Sequence, residues 1–293
     1  MATPQRKLHS LEGIVAACAL FFVLALSVGF AQAGGPKPVF LRSSSALVQD
    51  VDSGEIVISK NSDAVVPIAS ITKLMTAMVI LDRGLALDQR IVLSREDVDS
   101  VKGTRSRLRT GSALTRDELL LLSLMASENR AAAALGRTYP GGMPAFVAAM
   151  NAKADALGMT DSHFVEPTGL SPANVASARD LAKLVRAAYG YPLIREYSTR
   201  ERARVLTFGR PLNFVNTNGL VRSSHWEIDL SKTGYISEAG RCLVMHVRMH
   251  SKDLIVVLLD SWGKRSRIGD ANRIRKWLEK NVERTASAPD SAS

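Results

Sequence analysis

The amino-acid sequence predicts an α+β fold: a mainly antiparallel sheet made from strands at both ends of the chain, flanked by helices, with a helical lobe from the middle. Three observations predict it. Short apolar runs joined by tight turns occur early and late. Helical periodicity with recognisable caps fills the region between them. No repeat of 20–50 residues appears, so solenoid and propeller plans are set aside.

The early hairpin spans residues 45–59, with Ala46-Leu47-Val48 and Ile56-Val57-Ile58 on either side of the turn Asp52-Ser53-Gly54. A helix is predicted over 69–82, after Pro67 and before Gly84. Thr115-Arg116-Asp117-Glu118 reads as a capping box opening a helix over 118–126. Further helices are predicted over 144–156 and, capped by Ser177, over 179–189. A strand over 228–230 leads towards Lys232, and a hairpin over 241–247 and 254–259 turns through Ser251-Lys252-Asp253. A last amphipathic helix is expected from about 270 to 280. Pairing of the early hairpin with the late strands brings the two ends of the mature chain together.

Residues 1–33 read as an export signal. Arg6 and Lys7 precede an apolar run over 13–30, and Ala31-Gln32-Ala33 has the small-x-small pattern of a cleavage site. An uncleaved anchor is the rival reading, and in that case this segment is the membrane contact; its run is near the short limit for a span. Val15-Ala16-Ala17-Cys18 loosely resembles a lipoprotein box, but most of the apolar run follows Cys18, the wrong side for one. The catalytic domain is expected over 34–284, with its helical lobe at about 85–195. The Ser/Ala/Pro-rich tail 285–293 is expected to be disordered.

Cleavage removes two of the 38 basic and one of the 28 acidic residues, leaving a net charge of +9. The basic residues are spread along the chain and no nucleic-acid module appears, so nucleic acid is not an expected partner. Arg105, Arg107 and Arg109 are the one dense cluster, read as a solvated loop. A basic surface also suits carboxylate-rich cell-wall polymers. The mature chain keeps one cysteine, Cys242, in a strand-like run, so a buried thiol is expected and no disulfide framework.

Histidine chemistry is thinly supplied: the mature chain has His163, His225, His246 and His250, with no His-Glu-x-x-His motif. No Gly-x-Ser-x-Gly elbow or phosphate-binding loop is present. No metal site is expected from these residues.

What remains is Ser70-Ile71-Thr72-Lys73. A serine hydroxyl is a poor nucleophile until a neighbour takes its proton. Spacing of three on a helix puts Ser70 and Lys73 one turn apart on one face, within reach of each other. A serine in the first turn also has free N–H groups that can hold an oxyanion. A chain this long offers roughly one Ser-x-x-Lys by chance at average residue usage. Ser261-Trp262-Gly263-Lys264 is a second, but Ser261 ends a strand. Two further elements follow Ser70 in order: Ser127-Glu128-Asn129 between two helices, and Lys232-Thr233-Gly234 on a late strand. Ser59-Lys60-Asn61 precedes Ser70 and reads as a turn.

This ordered trio resembles that of the serine D-Ala-D-Ala carboxypeptidase/endopeptidase family, the low-molecular-mass penicillin-binding proteins, over about residues 46–277. Residues 106–135, Pro167-Thr168-Gly169-Leu170, Asn216-Thr217-Asn218 and 223–235 carry the likeness, the last two on the side of the endopeptidases. Glu128 departs mildly, since Asp or Gly is more usual there. The resemblance implies a β-lactamase/DD-peptidase-like fold, peptidoglycan peptides as substrate and β-lactams as inhibitors, in the periplasm, with neither a metal nor an organic cofactor needed. It implies that Ser70 attacks the carbonyl of the penultimate D-Ala, Lys73 takes its proton and Ser127 relays a proton to the leaving amine. It further implies that Asn129 holds the substrate backbone, Lys232 and Thr233 bind a carboxylate and Gly234 lets substrate approach the strand. The N–H groups of Ser70 and Tyr235 would form the oxyanion hole. The Lys73 pKa is expected to be lowered by burial and by the Lys232 cation.

The carboxypeptidases of this family typically carry a further β-rich domain and an anchor helix. The short stretch after Arg241 leaves little room for either, so an endopeptidase is the expectation, with a carboxypeptidase as the alternative. A β-lactamase would need a water-activating Glu in a Glu-x-x-Leu-Asn loop, a pattern that Glu166-Pro167-Thr168-Gly169-Leu170 breaks. A non-catalytic wall-binding protein would have less reason to keep the whole trio.

Overall fold

The computed structural model describes residues 38–286. The segment 1–33 and nearly all of the tail 285–293 lie outside the described residues. The chain opens with a hairpin of β1 (Ser43–Asp50) and β2 (Ile56–Lys60). The short β3 (Val66–Pro67) and a 3-10 turn (Ala69–Ile71) lead into α1 (Thr72–Asp82). β4 (Arg90–Val92) and β5 (Ala113–Thr115) pair across a long loop, and α2 (Arg116–Met125) follows. Next come α3 (Asn129–Arg137), α4 (Gly142–Ala156), β6 (Val175–Ala176), α5 (Ala178–Tyr189) and α6 (Pro192–Thr199). A hairpin of β7 (Arg202–Thr207) and β8 (Arg210–Val215) precedes β9 (Glu227–Ile236), β10 (Gly240–Met249), β11 (Lys252–Ser261) and α7 (Ser266–Ala286).

The main sheet is antiparallel throughout, in the order β2-β1-β11-β10-β9, so the first long strand lies beside the last. Strand alternation divides its side chains between two cores. Leu47, Val257 and Val244 fall in one row of the register and pack towards α1 and α5. Ala46, Val256 and Leu243 take the other face, beneath Ala271, Ile274 and Leu278 of α7. Lys232 of the edge strand β9 sits opposite Val244. Its place on this row is the reason a lysine ends up buried among the helices.

Asp270 ties α7 to β1. Its carboxylate accepts from the Arg42 N–H at 2.9 Å, the Ser43 N–H at 2.7 Å and the Ser43 hydroxyl at 2.6 Å, and it pairs with Arg273. Burial alone would raise its pKa; these donors outweigh burial and lower it.

The Thr115–Glu118 capping box is present, with both reciprocal bonds, and Ser177 caps α5. The last helix is longer than expected, from Ser266 to Ala286, and ahead of the expected start Ile268 already packs against the sheet. Sequence periodicity also passed over α6 and the β7–β8 hairpin. Only one face of each is covered, and that hairpin keeps Leu206 and Phe208 exposed, which blurs the alternation. Cys242 is buried, and burial pushes its thiol up to about 11. No described helix is long and apolar enough to cross a membrane.

Candidate active site

Ser70 does not stand in the first turn of α1, as spacing predicts, but in the 3-10 turn immediately before it. The reason is local crowding. Ala69 has a left-handed φ of 47°, and two glycines press against it. A Cβ on Gly169 would fall 1.9 Å from the Ala69 carbonyl oxygen. A Cβ on Gly234 would lie 3.0 Å from the Ala69 Cβ and 3.1 Å from the Ser70 nitrogen. Strand β9 therefore runs hard against the backbone of the nucleophile, and only glycine permits that approach.

Lys73 is fully buried in the first turn of α1. Its ammonium donates to the Ser70 Oγ at 2.9 Å, to the Asn129 Oδ1 at 2.8 Å and to the Thr168 carbonyl. Burial lowers its pKa to about 8, while the carboxylates of Glu166 and Glu128 pull it back up. The expectation that Lys232 is the charge acting on Lys73 is thereby corrected. The repulsion is felt at Lys232, which is held well below the ordinary lysine range by burial, then by the charges of Lys73 and Arg267. Two buried ammonium groups this close disfavour each other, and low local dielectric sharpens the effect.

Ser70, Ser127, Asn129, Thr233, Gly234 and Tyr235 line one cleft of about 240 Å³. The structure thus brings together all the residues singled out from the sequence, though on two levels. Lys73 and Lys232 lie beneath the cleft, and Lys232 donates to the Thr233 carbonyl at 3.0 Å. Ser127 adopts a left-handed φ of 57° between α2 and α3, which lets the chain turn at the cleft wall. The side-chain oxygen of Glu128 then caps α3 through the Arg130 N–H. Tyr235 is 57% exposed at the rim, with the Arg241 guanidinium 4.5 Å from its ring centre.

Several contributors lie outside the ordered trio; among Thr104, Thr217 and Arg267, only Thr217 falls in a stretch noted in the sequence, Asn216-Thr217-Asn218. Thr104 accepts from the Asn129 Nδ2 at 3.0 Å, and Thr217 bonds the Thr233 hydroxyl at 2.6 Å. Arg267 of α7 lines the cleft and donates to the Gly234 carbonyl at 2.8 Å. Lys102 and Glu238 pair to join the Thr104 loop to the β9–β10 turn. The loop after α4 covers Lys73: Thr168 accepts from it, and the Pro167 carbonyl accepts from Thr76 at 2.7 Å. Glu166 holds that loop together. Its oxygens accept from the N–H of Thr168 and of Gly169, both at 2.6 Å, from the Thr168 hydroxyl, and from the Asn174 amide at 3.0 Å. The Pro-Thr-Gly-Leu signature was the one sequence signal for this cover.

The competing motifs have other uses. Ser261 bonds Ser43 at 2.6 Å. Lys60 donates to the Leu41 and Ser43 carbonyls, and Asn61 to the Ser44 carbonyl. His246 is buried and stacked on Tyr189. Among the described residues no group of His, Cys, Asp or Glu is placed to hold a metal ion.

With this geometry, likeness to known proteins falls in one place. The family model described as D-alanyl-D-alanine carboxypeptidase, Peptidase S11, matches residues 32–263. The chain belongs to the Peptidase S11 family. Among its relatives is the D-alanyl-D-alanine endopeptidase of Pseudomonas aeruginosa, 48% identical over 266 residues, 87% of this chain and 86% of the relative. The enzyme of the same name from Escherichia coli is 48% identical over 242 residues, 82% of this chain and 78% of the relative. The Streptomyces K15 DD-transpeptidase superposes with a TM-score of 0.77 at 27% identity, covering 83% of this chain and 99% of that one. The likeness to the K15 enzyme is one of the whole α+β fold.

Proposed function

We propose that the protein is a serine DD-endopeptidase that hydrolyses D-alanyl crosslinks in peptidoglycan through an acyl-enzyme at Ser70, and that β-lactams acylate the same serine. The observation that carries this reading is the Lys73 amine, wholly buried, with its pKa lowered to about 8 and 2.9 Å from the Ser70 hydroxyl. Neutral Lys73 takes the hydroxyl proton as Ser70 Oγ bonds to the carbonyl carbon of D-Ala. The N–H groups of Ser70 and Tyr235 receive the developing oxyanion. As the C–N bond breaks, Ser127 passes a proton to the leaving amine. Water then cleaves the ester and restores Ser70.

Asn129 aligns the acyl-donor backbone, and Gly234 admits the substrate strand beside β9. Thr233 meets a substrate carboxylate at the cleft surface, with the charge of Lys232 acting from below. Glu166 supports a peptidase over a β-lactamase, since its oxygens are engaged with its own loop. Preference for crosslinks over terminal D-Ala is supported by the two relatives named D-alanyl-D-alanine endopeptidase. Residues 1–33 act as the export signal to the periplasm, 34–284 form the catalytic domain, and 285–293 form a tail.

The test is incubation of the purified protein with crosslinked dimeric muropeptides and, separately, with uncrosslinked pentapeptide. Monomers are expected from the dimer, and none with Ser70→Ala. Release of free D-alanine from pentapeptide with dimers left intact would replace this reading by a carboxypeptidase.

A further inference from the structure

Outside the cleft, a groove of about 650 Å³ runs between the loop carrying Arg107 and Arg109 and the β7–β8 hairpin carrying Phe208 and Arg210. No carboxylate lines it. The guanidinium groups of Arg109 and Arg210 are exposed and have no hydrogen-bond or ion-pair partner among the described residues. Arg107 is fixed over the Phe214 ring at 4.1 Å and donates to the Asn213 carbonyl, so one charge is held rigidly on the hairpin wall. Three like charges around one concavity raise its potential and attract an anion.

The hairpin tip adds a second, independent observation. Phe208 and Gly209 form a two-residue turn with φ of 50° and 71°. Both central residues at positive φ mark the turn that favours Asn-Gly, and a bulky side chain at the first position is strained there. The ring is nonetheless 64% exposed, so burial does not compensate for the strain. Its tip reaches the opposite wall, where a Cβ on Gly111 would meet it at 3.4 Å. An exposed aromatic kept in a strained position, flanked by unpaired cations, is a platform for a ligand with both an apolar and an anionic part.

Both walls are tied to the catalytic cleft. The loop wall follows Thr104, which bonds Asn129. The hairpin wall continues from β8 into Thr217, which bonds Thr233. Each wall of the groove is thus joined to the cleft by a short stretch of chain.

We infer that this groove is an exosite for a carboxylate-bearing peptide strand of the cell-wall polymer, seated on Phe208 and held by Arg107, Arg109 and Arg210. The identity of the polymer rests on the proposed function; the charge and shape of the groove do not. A short soluble dimer fills the cleft alone, so the groove acts only on polymeric substrate.

The experiment is co-sedimentation of the purified full chain with isolated peptidoglycan sacculi at low salt. Arg109→Glu with Arg210→Glu is expected to weaken binding about tenfold or more and to flatten its salt dependence. Fluorescent-penicillin labelling should stay within about twofold of the parent, which also checks folding. Arg109→Gln with Arg210→Gln should give an intermediate loss. Phe208→Asn should weaken sacculus binding while holding or raising the melting temperature, an outcome that a purely structural Phe208 would not give. Sacculi whose carboxylates are amidated should bind the parent as weakly as native sacculi bind the charge-reversed variant. Sacculus binding that is unchanged in both the charge-reversed and Phe208→Asn variants would overturn the inference, as would full binding to amidated sacculi. Loss of duplex-DNA binding with sacculus binding intact would assign the groove to nucleic acid and overturn it as well. Failure of the parent to label with penicillin or cut dimers would sink the proposed function, while the sacculus-binding comparison would still be readable.

Discussion

If neutral Lys73 is the base, acylation must follow its titration. Moving the pKa from 10.5 to about 8 disfavours the ammonium by about 3 kcal/mol relative to water. At pH 7 an unperturbed lysine would be neutral in about one molecule in 3,000; in this site the fraction is about one in ten. Burial therefore supplies roughly a 300-fold gain in competent enzyme at neutral pH. The sign is fixed: the active form is deprotonated, so the rate rises as pH increases towards the folded-state pKa and levels off above it. Acylation by fluorescent penicillin, measured as a second-order rate constant, should climb about ninety-fold between pH 6 and pH 9, with its inflection near 8. Glu128→Gln supplies the perturbation. It removes one of the two carboxylates that raise the Lys73 pKa but keeps an oxygen to cap α3. The inflection should move to lower pH with little change in plateau rate. A flat profile, or an inflection near 10.5 that ignores Glu128, would refute the assignment of Lys73 as base.

Further expectations follow from other contacts. Ser70→Ala should abolish covalent penicillin labelling, read on a denaturing gel, with no transfer of label to Ser261, which is buried against Ser43. Gly169→Ala should cost more than about 3 kcal/mol in urea unfolding, because its Cβ would overlap the Ala69 carbonyl and its φ is +79°. Asp270→Asn should cost about 2–4 kcal/mol at pH 7, since it leaves the buried end of α7 short of an acceptor. The Asp270 pKa is lowered in the fold, so its contribution is present above the unfolded carboxylate range and is lost as pH falls through the folded pKa. The gap between parent and Asp270→Asn should therefore narrow in acid.

The sheet was legible in the sequence because its strands, covered by a core on each face, carry unbroken apolar runs. The hairpins at both ends needed only turn chemistry and short continuous apolar runs. Residues that pair with themselves across short distances, such as Thr115 with Glu118 and Ser177 with Asp180, were legible for the same reason. The hairpin of β7 and β8 was not, since it leaves Leu206 and Phe208 in solvent and has a bulky residue at positive φ where the turn favours Asn. Thr104 and Arg267 were invisible because each reaches the cleft through a long-range contact that no local spacing encodes, whereas Thr217 was marked only by the Asn216-Thr217-Asn218 likeness.

The placement of Ser70 one step ahead of the helix sharpens what the motif does. Ser-x-x-Lys occurs twice in this chain, and the two copies differ in the burial of their lysines, not in residue types. At Ser70 the left-handed Ala69 lifts the serine out of the helix, while Gly169 and Gly234 let a loop and a strand close on either side. The loop brings the Thr168 carbonyl onto Lys73 and seals it from water; the strand brings Lys232 beneath Thr233. Burial lowers the amine pKa, and only a buried amine has a sizeable neutral fraction at pH 7. The glycines are thus part of the acid–base chemistry although they carry no titratable group. At Ser261 a left-handed Asp260 also precedes the serine and Gly240 closes on it, but the hydroxyl is locked to Ser43 inside the sheet and Lys264 is exposed, so no buried amine serves it. The distinction between a nucleophile and a structural serine lies in whether a buried amine reaches it, and Gly169, 99 residues away in sequence, lets the loop that covers Lys73 close.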